Sequence, residues 1–182
     1  MDDHEILERF QARDEGAFDV VFRTYYAQLV GIALGLVGER DSAEDVAQDV
    51  LLELWRRREN IVLETSLRAY LVRATRNRAL NHLRHERVVR LADPEAVGRT
   101  EAPPADRNLL EQEIDAAAAE AIRELPARSR EVFGLSREHG LTYAEIADVL
   151  DISIKTVEAH MGRALRALRE RLAPWFGDGG GI

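Results

Sequence analysis

The 182-residue chain carries 25 Lys plus Arg against 33 Asp plus Glu, a formal net charge of −8, and no cysteine. Its length suits one ordinary domain or two small ones that bury a core without covalent staples, and the missing cysteines exclude disulfides, thiolate zinc sites, iron–sulfur clusters and cysteine nucleophiles. With no apolar run near about 18 residues and no charged leader, nothing in it reads as a membrane span or a secretory signal, and the expected location is the cytoplasm.

Phe18, Val21, Phe22, Tyr25, Leu29, Ile32, Ala33 and Leu36 recur at three and four residues, the period of an amphipathic helix, and Gly38 is placed to end it. A second helix is expected to start at Asp41 or Ser42, each followed three residues on by an acid in the manner of a capping box. Its stripe is Ala43, Val46, Ala47, Val50, Leu51, Leu54 and Trp55. Glu44, Asp45, Gln48, Asp49 and Glu53 crowd the opposite face, which serves equally as a solubilising surface or as a dock for a basic partner.

Charge reverses at the next element. Residues 1–67 hold 15 acids and 7 bases, whereas residues 68–90 hold seven arginines and one glutamate. Ser66 is the expected N-cap of this third helix, which runs to about Arg87 with Leu67, Leu71, Ala74 and Leu83 among its apolar positions. At 3.6 residues per turn, Arg73, Arg76, Arg84 and Arg87 fall within an arc of about 80°, with Asn77 beside them, a surface suited to a nucleic-acid backbone. The connection before it, Asn60–Ser66, is a candidate loop for holding an unstacked base, offering Asn60, Glu64, Thr65 and Ser66 but no aromatic.

From Val88 to residue 108 Pro94, Gly98, Pro103 and Pro104 break any helical stripe, which marks an interdomain linker. Ile114, Ala117, Ala118, Ala121, Ile122 and Leu125 then make a helix that Pro126 stops, and another is expected over Ser129–Glu138, ending at His139-Gly140. Thr142 with Glu145 opens a short helix carrying Ile146, Ala147, Val149 and Leu150. After Asp151-Ile152, Ser153 caps a longer one carrying Val157, Met161, Leu165, Leu168 and Leu172. Such a pair describes a helix-turn-helix, whose second helix enters the major groove. Ile152, Val157 and Met161 close its junction, leaving Lys155, Thr156, Glu158, Ala159, His160 and Arg163 outward; the same turn also suits an αα-hairpin without a DNA role.

His82 and His85 lack a carboxylate constellation for a metal, and no glycine-rich phosphate loop or nucleophile elbow occurs, so no catalytic residue, metal or cofactor is expected. The chain reads as all-α, with small helical domains at 1–87 and 109–176, a linker at 88–108 and a glycine-rich, disordered tail at 177–182.

The order of motifs resembles the extracytoplasmic-function group of the bacterial sigma-70 family. The resemblance rests on Ala43-Glu44-Asp45-Val46-Ala47-Gln48-Asp49-Val50, Leu67-Arg68-Ala69-Tyr70-Leu71, Arg76-Asn77-Arg78-Ala79-Leu80-Asn81-His82-Leu83-Arg84 and the helix-turn-helix with Lys155-Thr156-Val157-Glu158. It implies a dissociable subunit that takes core RNA polymerase to promoters and helps open the DNA, with region two and region four joined by a linker. By position, Asp45, Gln48, Asp49 and Glu53 then fall on the face that docks on the beta-prime clamp helices. Asn60, Thr65 and Ser66 fall on the loop receiving a flipped minus-ten base, and Arg73, Arg76, Asn77, Asn81 and Arg84 on the helix gripping minus-ten DNA. Ser153, Lys155, Thr156, Glu158, Ala159, His160, Arg163 and Arg166 fall on the minus-thirty-five reader. The resemblance further implies contact of region four with the beta flap, an anti-sigma partner and no membrane insertion. Glu158 and His160 depart from the basic residues of many members, and a Glu there can accept from cytosine N4. Asp151 stands where glycine is common. Two other readings of the residues are a stand-alone regulator with a LuxR-type recognition helix, which needs a strand-containing receiver, and a helical protein-binding adaptor.

Overall fold

The computed structural model describes residues 3–90 and 109–176. They form helices α1 (Asp3–Gln11), α2 (Glu15–Val37), α3 (Arg40–Arg57), α4 (Leu67–Arg90), α5 (Leu109–Glu124), α6 (Ala127–Arg137), α7 (Tyr143–Leu150) and α8 (Ile154–Phe176), with a 3-10 turn at Arg58–Asn60. The chain divides into two compact units, 1–101 and 102–182. Most of the expected 88–108 linker and all of the 177–182 tail lie outside the described residues, although α4 itself continues to Arg90.

In the first unit α2, α3 and α4 pack against one another. Val46, Val50, Leu51 and Leu54 of α3 meet Val21, Leu29 and Ala33 of α2 and Leu67, Leu71 and Ala79 of α4 in one core, and each such large apolar side chain contributes about 1.5–3 kcal/mol on burial. Gly38 ends α2 in the left-handed region, φ 78°, donating its N–H to the Leu34 carbonyl at 2.9 Å, as expected of a glycine at that position. The cap of α3 corrects the expectation: it is Glu39, whose carboxylate accepts from the Ser42 backbone N–H at 3.0 Å, so the helix starts earlier than Asp41. Hydrogen bonds from Ser42 hold the Glu39 carboxyl below its ordinary pKa.

Two further features depart from the sequence reading. By length and composition α2 is apolar enough to cross a membrane, with mean hydropathy 1.5 over an 18-residue window, contrary to the expectation of no such run. In this fold Ala17, Val21, Tyr25, Leu29, Val30, Ile32 and Ala33 of that helix are buried, and α3 and α4 pack against it. Helix α1 has no counterpart in the sequence pattern. It is short, but Ile6 and Phe10 are buried at an i,i+4 spacing, and the Phe10 ring stands edge-on to Trp55 at 5.8 Å between centroids. Asp14 then caps α2, accepting from the Gly16 N–H at 2.8 Å, and its bond from Arg9 lowers its pKa.

In the second unit α5, α6 and α7 all pack on α8. Helix α6 starts at Ala127, two residues before the expected Ser129, because Pro126 is its N-cap. Arg130 reaches back to close the end of α5, donating to the carbonyls of Ile122 at 3.1 Å, of Leu125 at 2.9 Å and of Arg123. The last carbonyls of a helix have no partner within it, and a guanidinium supplies both donors and a favourable charge there.

Two outcomes are expected. Thr75 of α4 is completely buried and its hydroxyl has no hydrogen-bond partner in the structure, so Thr75→Val should raise the unfolding free energy by about 1 kcal/mol in urea titration. Burial holds the His139 imidazole below its ordinary pKa of 6.5. The folded state therefore binds fewer protons there than the unfolded one, and the contribution of that site is present above pH 6.5 and lost as pH falls below it. His139→Gln should flatten the fall in melting temperature of the second unit between about pH 7 and pH 5.

Candidate nucleic-acid interface

Because the stripe of α3 is buried, its acidic face points outward, but the acids on it are not equivalent. Among the described residues Asp45 and Gln48 are exposed and bonded to no other side chain. Asp49 instead receives both Nε (3.1 Å) and Nη2 (2.7 Å) of Arg78 from α4, and Glu53 is ion-paired with Arg57 and lies 4.0 Å from Arg56. Leu52 lies on the same helix, 45% exposed.

The loop between the 3-10 turn and α4 is anchored at both ends. Arg58 sits over the Trp55 ring, 4.6 Å from its centroid, and donates to the Trp55 carbonyl at 2.7 Å. Arg13, held at φ 60°, pairs with Glu59 at 2.9 Å. Ile61 is buried and Leu63 packs on the core, so Val62 between them stands 80% exposed. Asn60 and Thr65 are exposed. The Ser66 hydroxyl accepts from the Ala69 N–H at 3.0 Å, so this expected DNA contact also works as the cap of α4.

Along α4, Asn77, Asn81 and Arg84 are exposed and Arg73 and Arg76 half-buried. Arg73 lies 3.5 Å from Glu64, and Arg84 donates to Asn81 Oδ1 at 3.0 Å. Arg73, Arg76 and Arg84, with Asn77 beside them, are the described members of the arc, Asn81 lies beyond its edge, and Arg78 lies on the flank facing α3. The side chain of Arg87 lies outside the described residues.

In the second unit the expected capping box is complete: Glu145 N–H donates to Thr142 Oγ1 at 3.3 Å, and Thr142 N–H to Glu145 Oε2 at 2.8 Å. Asp151 turns the chain at φ 52°, ψ 53°, a left-handed conformation that Asp tolerates better than most residues. The next N–H, of Ile152, returns to the Ala147 carbonyl at 3.0 Å. Arg128 of α6 donates to the Leu150 carbonyl at 3.2 Å while paired with Glu131, which fixes α6 to the turn. Val157, Met161 and Ala164 of α8 are buried, as the junction requires.

The outer face of α8 differs from the sequence expectation in two places. Thr156 faces its own cap, its N–H donating to Ser153 Oγ at 3.1 Å and its hydroxyl 2.8 Å from it. His160 turns inward: its Nδ1 lies 3.1 Å from the hydroxyl of the fully buried Ser129 on α6 and 3.4 Å from Arg163 Nη1. Sequence spacing placed His160 on the outward flank, but a buried hydroxyl needs a partner and this imidazole is the one in reach. Lys155, Glu158, Ala159, Arg163 and Arg166 are exposed. Val62 and Arg78 are the residues that sequence reasoning passed over. The exposed valine carries no pattern, and the arginine differs from its neighbours only in facing α3.

Comparison with known proteins gives concordant results. Residues 21–88 match the family described as Sigma-70 region 2, and residues 115–168 match Sigma-70, region 4. The chain is 30% identical to the RNA polymerase sigma-H factor of Pseudomonas aeruginosa over 94% of each sequence. It is 26% identical to the ECF RNA polymerase sigma factor SigK of Mycolicibacterium vanbaalenii, over 92% of this chain and 87% of that one. Among solved structures it is similar to the sigma factor RpoE of Bartonella quintana, crystallised with the anti-sigma factor NepR, with 26% identity and a TM-score of 0.66 over 85% of this chain and 96% of that one.

The contact between His160 and Ser129 is open to test. Ser129→Ala should cost about 0.5–1.5 kcal/mol, the net contribution of one hydrogen bond, read as a lower urea midpoint of the second unit.

Proposed function

Since this chain belongs to the sigma-70 family, in its extracytoplasmic-function group, we propose that it works through three separate surfaces: the α3 face, the loop with α4, and the start of α8. It is an RNA polymerase sigma factor, and its task is to direct the core enzyme to specific promoters and assist DNA opening. The α3 face, with Asp45 and Gln48 open and Asp49 and Glu53 beside them, docks on the beta-prime clamp helices. Residues Asn60, Thr65 and Ser66 receive an unstacked minus-ten base, while Arg73, Arg76, Asn77, Asn81 and Arg84 hold the adjoining strand. Ser153, Lys155, Thr156, Glu158, Ala159, Arg163 and Arg166 address the minus-thirty-five element, with His160 behind them as support, and the second unit also meets the beta flap.

The observation that carries this reading is the order of the two matched regions on two separate compact units, one bearing the cationic helix and the other the helix-turn-helix. On this reading the first domain runs to the end of α4 at Arg90, the second is 109–176, and the segment between them joins two weak promoter contacts into one strong one by effective concentration. The net charge of −8 opposes encounter with DNA until polymerase supplies the positive field. Work alongside polymerase and DNA places the protein in the cytoplasm without membrane insertion. A solved relative is bound by an anti-sigma factor, and a protein of that kind fits as the partner that keeps this chain from polymerase. The regulator reading needs a strand-bearing receiver, whereas the described part of residues 1–87 is helices and turns.

Purified core polymerase with this protein, given genomic fragments, should start transcription at discrete sites that share two upstream elements. A folded chain that produces no new starts would overturn the proposal. Asp45→Lys should weaken binding to core polymerase by about tenfold or more, because like-charge juxtaposition costs several kcal/mol, and should leave the melting temperature unchanged. Equal affinity of the variant and the parent would remove α3 as the dock.

A further inference from the structure

Among the polar side chains at the start of α8, most already have a task within the protein. Ser153 and Thr156 are bonded to each other, His160 is bonded to Ser129, and Arg163 lies against His160. Of the polar groups on the first two turns, Lys155 and Glu158 remain exposed with no partner among the described residues. For a cation on a DNA-facing helix this is ordinary, since any phosphate will take it. For a carboxylate it is not, because the phosphates repel it and only a hydrogen-bond donor offsets that repulsion.

Two structural roles for Glu158 fail, one on position and one because its only cation at helical spacing does not pair with it. Compensation of the helix dipole acts within the first turn, and Glu158 lies beyond it, five residues after the Ser153 cap. Helical ion pairing needs a cation three or four residues away. The residues at those spacings are Ile154, Lys155, Met161 and Gly162, and no ion pair joins Lys155 to Glu158 in the structure.

The donors that a major groove displays are the exocyclic amines of cytosine and adenine. Adenine carries the acceptor N7 beside its amine, which a carboxylate, having no proton to donate, meets unfavourably. Cytosine itself presents only the N4 amine on its major-groove edge. Ala159, also exposed and next in sequence, adds no bulk beside the carboxylate.

We propose that Glu158 selects a cytosine in the upstream promoter element, its carboxylate accepting from the N4 amine in the major groove. This rests on the reading that α8 is the minus-thirty-five reader, and it names the base at one position of that element.

The test is selection of bound promoters by purified holoenzyme from a library randomised across the upstream element. The parent should enrich cytosine at one position. Glu158→Ala should lose about tenfold or more of the discrimination there, the range of a good base contact, while keeping the remaining positions and the melting temperature. Glu158→Gln, which both donates and accepts, should move that position toward adenine. If both variants select the parental sequence, or if the parent enriches no cytosine, the assignment is wrong. Lys155→Ala separates the two levels of failure. A weakened upstream contact in that variant, with Glu158 variants unchanged, overturns the cytosine alone; if Lys155 and Glu158 variants are all without effect, the placement of α8 in the groove falls as well.

Discussion

Packing α3 by one face between α2 and α4 decides where the charges of the first unit point. Once Val46, Val50, Leu51 and Leu54 are committed to the core, the helical period leaves Asp45, Gln48, Asp49 and Glu53 no other side to occupy. The same commitment on α4, through Leu67, Leu71 and Ala79, turns Arg73, Arg76, Asn77, Asn81 and Arg84 away from the core. Two surface faces of opposite sign are therefore consequences of one packing arrangement. Such a core is costly to alter, since large-to-small changes at Leu51 or Leu54 lose both transfer energy and close packing.

The two faces touch where Arg78 crosses to Asp49. Both side chains are about half exposed, so the pair contributes at most about 1 kcal/mol to stability. Its effect is local: it takes one acid from the α3 surface and leaves Asp45 as the open one. Arg73 with Glu64 and Arg13 with Glu59 act similarly at the loop, tying it to α4 on one side and to the end of α1 on the other. With these ties and the buried Ile61, the loop presents Val62, Asn60 and Thr65 to solvent without a rigid element of its own.

In the second unit polar side chains complete the helix ends around the core. Arg130 closes α5, Arg128 closes α7, Ser153 opens α8 and the Thr142–Glu145 box opens α7. Short helices such as the eight residues of α7 are marginal in isolation, and satisfied termini matter in proportion. The contact from Ser129 to His160 belongs to this set. It engages a side chain of α8 with α6 and leaves Lys155 and Glu158 as the exposed polar groups of the first two turns of α8.

What the sequence by itself determined is local. The period of three and four residues, Gly38 after α2, Ser66 before α4, the Thr142–Glu145 box and the Ser153 cap all act within a turn or two, so α2 through α8 and the helix-turn-helix are legible from neighbouring residues alone. The arginine arc on α4 is legible for the same reason, since it requires only the helical angle. The limit is visible at the cap of α3, where residue type favours Asp41 or Ser42 but Glu39 holds the position, and at α1, whose two apolar residues gain their meaning only when Phe10 meets Trp55. Tertiary structure decided which of the legible groups remain available. Asp49 is bonded by Arg78 and His160 by Ser129, partners 29 and 31 residues apart. No periodicity reports such pairs, because they depend on which helix faces are packed together.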